Sequence, residues 1–321
     1  MKKFIRIFVV FLFVALPGYF VLVYTVRSAF PKDYAYLINV PYVPLGYGHL
    51  KTRIDDIKNY TEIDALVIGS SHAYRGYDPR IFKREGLTIF NLGSSSQSPI
   101  QSYYLLKKYI EELDPKLVII EVFPETFTSD GIESAIDLTS NCPLDMELMQ
   151  MTFSFRNIKP FNAMVYRIID QEVLNHNYYE SKTVQLDRYI SGGYVEREMG
   201  HSKPYVIPDS IDLDLDENQL IAFEKSLDLL KDKGIRVILV QAPVTKKLYD
   251  AFREEESFNE LMSGYGEYYN FNEIELLQDS VLYYDSNHLN QNGVEEFNEM
   301  LLDTLIEKFH SSYSESKFDS E

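Results

Sequence analysis

Short apolar runs alternate with amphipathic helical patterns along most of this chain. Five apolar runs have the length and composition of buried strands. They cover Asp64–Gly69, Leu87–Asn91, Lys116–Phe123, Ile235–Gln241 and Tyr268–Phe271. Periodic apolar positions predict helices over Ser98–Leu113, Asp216–Lys233, Lys246–Met262 and Asn292–Phe309. Strands that alternate with helices are typical of an α/β fold, so we predict a mostly parallel five-stranded sheet between layers of helices.

The most apolar segment lies near the N-terminus. Ile7–Val26 is an uncharged run of 20 residues, which as a helix would span roughly 30 Å and cross the hydrocarbon core of a bilayer. It is longer than the apolar part of a signal peptide, and no clear small-residue cleavage pattern follows it. We therefore predict an uncleaved single-pass anchor in residues 1–27, with a cleaved signal or a buried core helix as alternatives. The preceding basic residues favour a cytoplasmic N-terminus, with the rest of the chain outside.

The remaining chain divides by its pattern into three further segments, the second of which contains an insertion. Residues 28–63 read as a juxtamembrane linker, and residues 64–310 contain the predicted strands and helices. Within them, residues 126–215 break the alternation, are rich in Asn, Ser, Met and Tyr, and are predicted to be an insertion, either a lid or a partner surface. Residues 311–321 read as a polar, frayed tail.

Charge is distributed unevenly between these segments. The chain carries 31 basic and 49 acidic residues; its first 27 residues hold four basic residues and no acid, so the remainder has 27 against 49, a net charge of −22. A domain this acidic repels phosphate backbones, which argues against nucleic acid as a partner. An anionic polymer would need local basic residues, and a neutral glycan would suit better. The single Cys142 excludes a multi-cysteine metal site, and we expect neither a metal nor a cofactor.

Candidate chemistry lies at the carboxyl ends of the predicted strands, where parallel sheets bind ligands. The first strand leads into Gly69-Ser70-Ser71, and the second into a Gly93-Ser94-Ser95-Ser96 loop. Asp285-Ser286-Asn287-His288 precedes the last helix. A hydroxyl becomes a nucleophile when a histidine takes its proton, and a carboxylate orients that histidine. Ser71, His288 and Asp285 supply these three groups.

These motifs resemble those of the SGNH (GDSL-like) hydrolase superfamily. Gly69-Ser70-Ser71 stands where the family has Gly-Asp-Ser, Gly93 matches the glycine of its second block, and Asp285 with His288 matches its Asp-x-x-His block. The resemblance implies a three-layer α/β/α, flavodoxin-like fold. It also implies Ser71 as nucleophile, His288 as base and Asp285 as its orienting acid. The backbone N–H groups of Ser71 and Gly93 would form the oxyanion hole.

The chain departs from the family in one motif. The family's third block is Gly-x-Asn-Asp, whose Asn donates to the oxyanion, and Glu121-Val122-Phe123-Pro124 stands here instead. The third donor is then missing or comes from Ser95, Ser96 or Gln97. With its N-terminal anchor, the chain looks most like accessory proteins of polysaccharide O-acetylation or teichoic-acid D-alanylation. That resemblance implies a cell-surface polysaccharide or teichoic acid and a membrane-bound O-acyltransferase as partners.

The sequence therefore predicts a membrane-anchored, extracytoplasmic serine esterase or O-acyltransferase that acts on a cell-surface glycan or teichoic acid. A non-catalytic scaffold that binds polymer or the O-acyltransferase is the alternative. Ser70 would be the nucleophile if the turn were shifted by one residue. We expect His72 to be a packing residue, Glu121 and Glu125 to be polar scaffolding, and Arg75 to lie on the surface rather than hold an anion.

Overall fold

The computed structural model describes residues 1–30, 34–197 and 206–318, with side chains up to residue 305. Its strands are β1 Ala65–Ile68, β2 Ile89–Asn91, β3 Leu117–Glu121, β4 Thr183–Val184, β5 Asp187–Ile190, β6 Tyr194–Arg197, β7 Arg236–Gln241 and β8 Tyr268–Asn270. Its α-helices are α1 Lys2–Ala29, α2 Leu50–Asp56, α3 Ser71–Gly76, α4 Pro79–Arg84, α5 Pro99–Leu113, α6 Pro124–Thr128, α7 Ile132–Asn141, α8 Met146–Ser154, α9 Ile158–Arg167, α10 Glu217–Asp232, α11 Lys246–Tyr249, α12 Glu255–Tyr265 and α13 Gln291–Phe318.

The chain folds into two compact units. The first comprises Met1–Gly46 and Ala135–Tyr179, and the second comprises Tyr47–Ser134 and Glu180–Glu321. The predicted insertion, 126–215, is therefore shared between the two units, and the predicted linker, 28–63, contains α2. The boundaries drawn from sequence at residues 27, 63 and 310 stay predictions.

A five-stranded parallel sheet forms the centre of the second unit. Its strands lie in the order β2-β1-β3-β7-β8, and each neighbouring pair is parallel. This is the flavodoxin-type order. The order in which successive strands are added to the sheet reverses between β1 and β3, and ligands bind there, outside the carboxyl ends of the strands. The predicted α/β fold with a five-stranded parallel sheet is confirmed, and every predicted strand is present.

The central strands are buried because they carry apolar residues on both faces. Ala65, Val67 and Ile119 pack in one cluster with Phe82 of α4 and Phe297 of α13. The residues that alternate with them point to the opposite face and are buried as well, as in a sheet covered by helices on both sides. Helix α5 begins with a capping box between Ser98 and Gln101, which fixes its start directly after the loop of the second strand.

A second sheet lies inside the predicted insertion. Strands β4, β5 and β6 form a three-stranded antiparallel sheet in which Asp187 pairs with Arg197. These strands are only two to four residues long and carry mixed polar and apolar residues, so the sequence pattern does not predict them.

Two helix predictions need correction. The helix predicted over 246–262 is broken into α11 and α12, because the backbone between them pairs with Ile211: Ile211 donates to the carbonyl of Ala251 at 2.7 Å, and Arg253 donates back to Ile211 at 3.1 Å. The last helix continues to Phe318 instead of ending at Phe309, so residues 311–318 of the predicted tail are helical. Residues 319–321 and His201 lie outside the described residues.

The C-terminal half of the apolar N-terminal helix packs within the first unit. Val23 of α1 packs with Val40 and Val165, and the rings of Tyr24 and Tyr166 stack with centroids 5.3 Å apart. Helix α1 is 28 residues long and apolar enough to cross a membrane. Both a membrane anchor and a signal sequence have these properties.

Candidate active site

The turn that follows β1 presents Ser71 at the start of a helix. An added Cβ at Gly69 would lie 2.8 Å from the Cβ of Glu121, so glycine lets the ends of β1 and β3 approach closely. Ser70 then caps α3, because its Oγ accepts the backbone N–H of His72 at 3.3 Å. Ser71 is the first residue of α3, where backbone N–H groups have no partner within the helix and favour negative charge.

The structure brings Ser71, His288 and Asp285 into one chain of hydrogen bonds. Ser71 Oγ lies 2.8 Å from His288 Nε2, and His288 Nδ1 lies 2.9 and 3.0 Å from the two carboxylate oxygens of Asp285. Asp285 Oδ1 also accepts the backbone N–H groups of Asn287 at 3.0 Å and His288 at 2.8 Å. The arrangement is that of a nucleophile, a base and an acid that orients the base.

The charge of Asp285 determines which nitrogen of His288 carries the proton in this series of hydrogen bonds. Burial by itself would raise the pKa of the Asp285 carboxyl. The hydrogen bond and charge of His288, together with the two backbone N–H groups, outweigh burial and lower that pKa to about 2. The carboxylate is therefore ionised at neutral pH and accepts the proton of His288 Nδ1. Nε2 is left with the lone pair that can accept the Ser71 proton.

A second buried polar network lies directly behind Ser71. Ser70 Oγ donates to Glu121 Oε2 at 3.3 Å and lies 3.2 Å from His72 Nδ1. The His72 ring packs between two other rings, with centroids 4.1 Å from Phe123 and 5.2 Å from His288. Ser70, the alternative nucleophile, is only 3% exposed, and these contacts occupy its hydroxyl.

Burial keeps the members of this network uncharged. It lowers the pKa of His72 to about 3, with a further contribution from the neighbouring His288. It raises the pKa of Glu121 to about 8, against the opposing effect of hydrogen bonds from Ser70 and the backbone. At neutral pH the imidazole of His72 is neutral and Glu121 is mostly protonated. Neither side chain lines the cavity beside Ser71, which agrees with the scaffolding roles expected from the sequence.

A cavity of about 380 Å³ opens in front of Ser71 and His288. Helix α3 contributes Ser71, Tyr74 and Arg75 to its wall, and the loop before α13 contributes Tyr284, Asp285 and His288. Strand β6, from the predicted insertion, contributes Tyr194, Val195 and Arg197. The sequence analysis did not anticipate this wall, since its residues lie more than 100 positions from Ser71 in a segment with weak periodicity.

Of the two residues predicted to bind the oxyanion, Ser95 lines the cavity and Gly93 does not. Ser95 lines the cavity together with Ser96. Gly93 is buried outside the cavity lining, and its N–H donates to the Oδ1 of Asn91 at 3.0 Å. An added Cβ there would lie 2.8 Å from the carbonyl of Ser70, so glycine is needed for packing against the Ser70 turn. Its expected role as oxyanion donor stays a prediction that requires this N–H to change its acceptor.

Other donors are open to an oxyanion. The backbone N–H groups of Ser71, Ser95 and Ser96 make no hydrogen bond to another described residue. Gln97, another candidate third donor, is buried and accepts from Ser94 Oγ at 2.8 Å. Among the side chains that the structure describes, within residues 1–30, 34–197 and 206–305, no group of three His, Cys, Asp or Glu could hold a metal ion.

No family model matches this chain, and no curated protein matches it. Among solved structures, the chain is similar to a protein classed as an acylhydrolase from Bacteroides fragilis, with 12% identity and a TM-score of 0.42. It is also similar to a GDSL-like lipase from Bacteroides thetaiotaomicron, with 13% identity and a TM-score of 0.42. Each comparison covers 82% of this chain and 99% of the other. At this level of similarity, neither structure assigns a family or an activity to the chain.

Proposed function

We propose that this protein is a serine esterase or O-acyltransferase that uses Ser71, His288 and Asp285. One observation carries the proposal: the continuous hydrogen-bonded chain from Ser71 Oγ through His288 to Asp285, which faces the 380 Å³ cavity. The three residues come from the end of β1 and from the loop before α13, so only the folded sheet can align them.

The geometry supports a two-step acyl transfer. Ser71 Oγ attacks the carbonyl carbon of an ester while His288 Nε2 takes its proton, and a tetrahedral oxyanion forms. The oxyanion collapses, the ester C–O bond breaks, and His288 returns the proton to the leaving alcohol, which leaves Ser71 acylated. His288 then deprotonates water or a second alcohol, whose oxygen attacks the acyl group and releases Ser71. Asp285 stays ionised throughout and stabilises the imidazolium.

The oxyanion would lie at the N-terminus of α3. The Ser71 N–H belongs to the first residue of that helix and has no partner within it. Ser95, on the cavity wall, is the candidate for a second donor, since the N–H of Gly93 is bound to Asn91. This arrangement would replace the Asn donor that is missing from the third motif.

We further propose that the acyl acceptor is a hydroxyl of a cell-surface glycan or teichoic acid, and that the protein acts beside a membrane-bound O-acyltransferase. The apolar helix α1 supports a location at the membrane. Under this proposal the second unit works outside the cytoplasm, where such polymers are found.

Esterase kinetics on the full-length protein in detergent micelles test the proposal. We expect wild type to hydrolyse p-nitrophenyl acetate, and Ser71→Ala and His288→Ala to lower kcat by about a thousandfold or more. Ser263→Ala, which removes an exposed hydroxyl on α12, is the matched control and should behave as wild type. Added glycerol should accelerate nitrophenol release only if the acyl-enzyme transfers to alcohols.

A scaffold that keeps the fold without catalysis is the second candidate. The occupied N–H of Gly93 favours it, because a serine hydrolase without an oxyanion hole loses much of its rate enhancement. A folded wild-type protein with no turnover above that of Ser71→Ala would establish the scaffold and remove the enzyme.

A further inference from the structure

Two arginines lie on the cavity wall beside Ser71. Arg75 follows Ser71 by four residues on α3, so both side chains lie on the same face of the helix. Arg197 comes from β6, and its Nη2 donates to the hydroxyl of Tyr284 at 2.7 Å. Tyr284 directly precedes Asp285, so Arg197 contacts the loop that holds the predicted acid. Both arginines line the cavity.

The carboxylate of Asp187 forms ion pairs with both arginines. Asp187 accepts two hydrogen bonds from Arg75, at 3.1 and 2.7 Å, and its Oδ1 lies 3.4 Å from Nη1 of Arg197. Asp187 pairs with Arg197 across β5 and β6 and does not line the cavity. These two guanidinium groups share this one carboxylate, so the group of three side chains carries a net charge of +1.

Arg197 keeps donors available to a ligand. Its guanidinium carbon lies 4.0 Å from the centre of the Tyr284 ring, which holds the plane of the fork in place. The side chain of Arg197 is 30% exposed and that of Arg75 is 12% exposed. A guanidinium has five N–H donors, more than these contacts use.

Two acidic residues, Asp285 and Glu133, also line the cavity. Asp285 is engaged by His288 and two backbone N–H groups. Glu133 directly precedes Ser134, whose Oγ lies 3.4 Å from that of Ser94. The cavity lining therefore combines the two arginines with aromatic, serine and carboxylate side chains.

We propose that Arg75 and Arg197 form an oxyanion-binding subsite that recognises a carboxylate or phosphate group carried by the substrate close to the reacting ester. This arginine subsite rests on the proposed function and names its substrate class as an acidic polymer. Arginine forks bind such groups with two parallel, charge-assisted hydrogen bonds. They would offset locally the net charge of −22 that otherwise repels an acidic polymer.

Ligand-observed NMR titration of the full-length Ser71→Ala protein in detergent tests the subsite without any turnover. Glucuronate is compared with glucose, and glycerol 1-phosphate with glycerol, so that the two pairs separate a uronic-acid carboxylate from a polymer phosphate as the source of the anion. We expect at least one anion to bind about tenfold or more tightly than its neutral partner. Adding Arg197→Gln should abolish this preference.

Two further variants control the experiment. Arg188→Gln removes the same charge from the same hairpin, where Arg188 is exposed and pairs with Glu196, and should keep the preference. Arg197→Lys keeps the charge without the fork and should weaken anion binding several-fold, which covers the case that Arg197→Gln does not fold. Equal binding of anions and neutral partners, or an unchanged preference in both Arg197 variants, overturns the subsite. Because the titrated protein carries Ser71→Ala and cannot turn over substrate, the binding result is independent of whether the wild type is an esterase.

Discussion

At the scale of single residues, the region around Ser71 contains two layers of polar groups. The outer layer, Ser71 with His288 and Asp285, faces the cavity. The ionised carboxylate of Asp285 orients the imidazole of His288 in this layer. The inner layer, Ser70 with His72 and Glu121, is buried and neutral. The ring of His72 in the inner layer stacks on that of His288 in the outer layer, at an interplanar angle of 25°. This stack and Asp285 together hold the imidazole of His288.

We predict that the ring of His72 positions His288. His72→Ala should lower kcat for ester hydrolysis more than tenfold, because a small misplacement of a catalytic group is costly. His72→Phe keeps a ring of similar size between Phe123 and His288 and should lower kcat clearly less. Steady-state kinetics of both variants, with circular dichroism as a check of folding, give the answer. Equal losses in the two variants would contradict a role for ring packing.

Glu121 gives a prediction for the dependence of stability on pH. Because its pKa in the folded protein, about 8, lies above the ordinary glutamate pKa of 4.5, the folded state holds more protons than the unfolded state between these two pH values. The contribution of Glu121 to the free energy of unfolding should therefore fall as pH rises from about 4.5 to 8, by at most about 1.4 kcal/mol per pH unit. Glu121→Gln cannot ionise and should be less sensitive.

Urea denaturation of wild type and Glu121→Gln between pH 5 and pH 8 measures this effect, with exposed Glu260→Gln on α12 as the control. The difference between wild type and Glu121→Gln should shift in favour of the variant as pH rises. A difference that stays constant with pH would show that Glu121 ionises in the folded protein as it does in the unfolded chain.

At the scale of secondary-structure elements, the sequence was informative where elements are long and regular. The strands β1, β3 and β7 could be predicted because each contains a run of four apolar residues. The β4–β6 sheet could not, because its short strands have little periodicity and their register depends on packing against distant elements. Consequently Ser71, His288 and Asp285 were found as candidates, whereas Tyr194 and Arg197 were missed, and the serine's catalytic role stays a prediction.

The hairpin between β5 and β6 contacts the end of β2 through glycine. Gly192 accepts the N–H of Asn91 at 2.8 Å, and an added Cβ at Gly193 would lie 2.0 Å from the carbonyl of Asn91. Gly193 also has a φ of +87°, which disfavours side chains. We predict that Gly193→Ala displaces the β6 wall of the cavity, lowers the free energy of unfolding by about 2 kcal/mol or more, and impairs ester hydrolysis.

The matched control for Gly193 is Gly86→Ala. Gly86 has a φ of +76° but no atom within 4 Å of an added Cβ, so this variant has the backbone strain without the clash. It should lose only about 1 kcal/mol and keep its activity. Urea midpoints and esterase rates that are the same for the two variants would contradict a specific role for the hairpin contact.

At the scale of the whole molecule, the apolar N-terminal helix suits the hydrocarbon core of a membrane, and the acidic remainder suits water. The sequence could identify α1 from length and composition alone, but these do not separate an anchor from a cleaved signal. Contacts of Val23 and Tyr24 within the first unit were beyond sequence analysis, since their partners lie some 140 residues further along the chain. The anchor and its orientation therefore stay proposals.

Cell fractionation tests the anchor on the full-length chain. We predict that the protein is recovered in the membrane pellet after an alkaline carbonate wash, at its uncleaved mass. Val14→Arg places a charge near the middle of α1, which costs about 3 kcal/mol for insertion, and should shift protein out of that pellet. Recovery of wild type in the soluble fraction, or loss of the first 30 or so residues, would contradict an anchor.

The most direct measurement of the central claim is to map the covalent adduct formed by a fluorophosphonate probe. Peptide mass spectrometry of the labelled full-length protein should find one modified residue, Ser71, and labelling should be absent in Ser71→Ala and strongly slowed in His288→Ala. Ser70 and Ser95, within the same region of the fold, serve as internal controls. An adduct on either of those serines, or no adduct on a folded wild-type protein, would contradict the proposed role of Ser71.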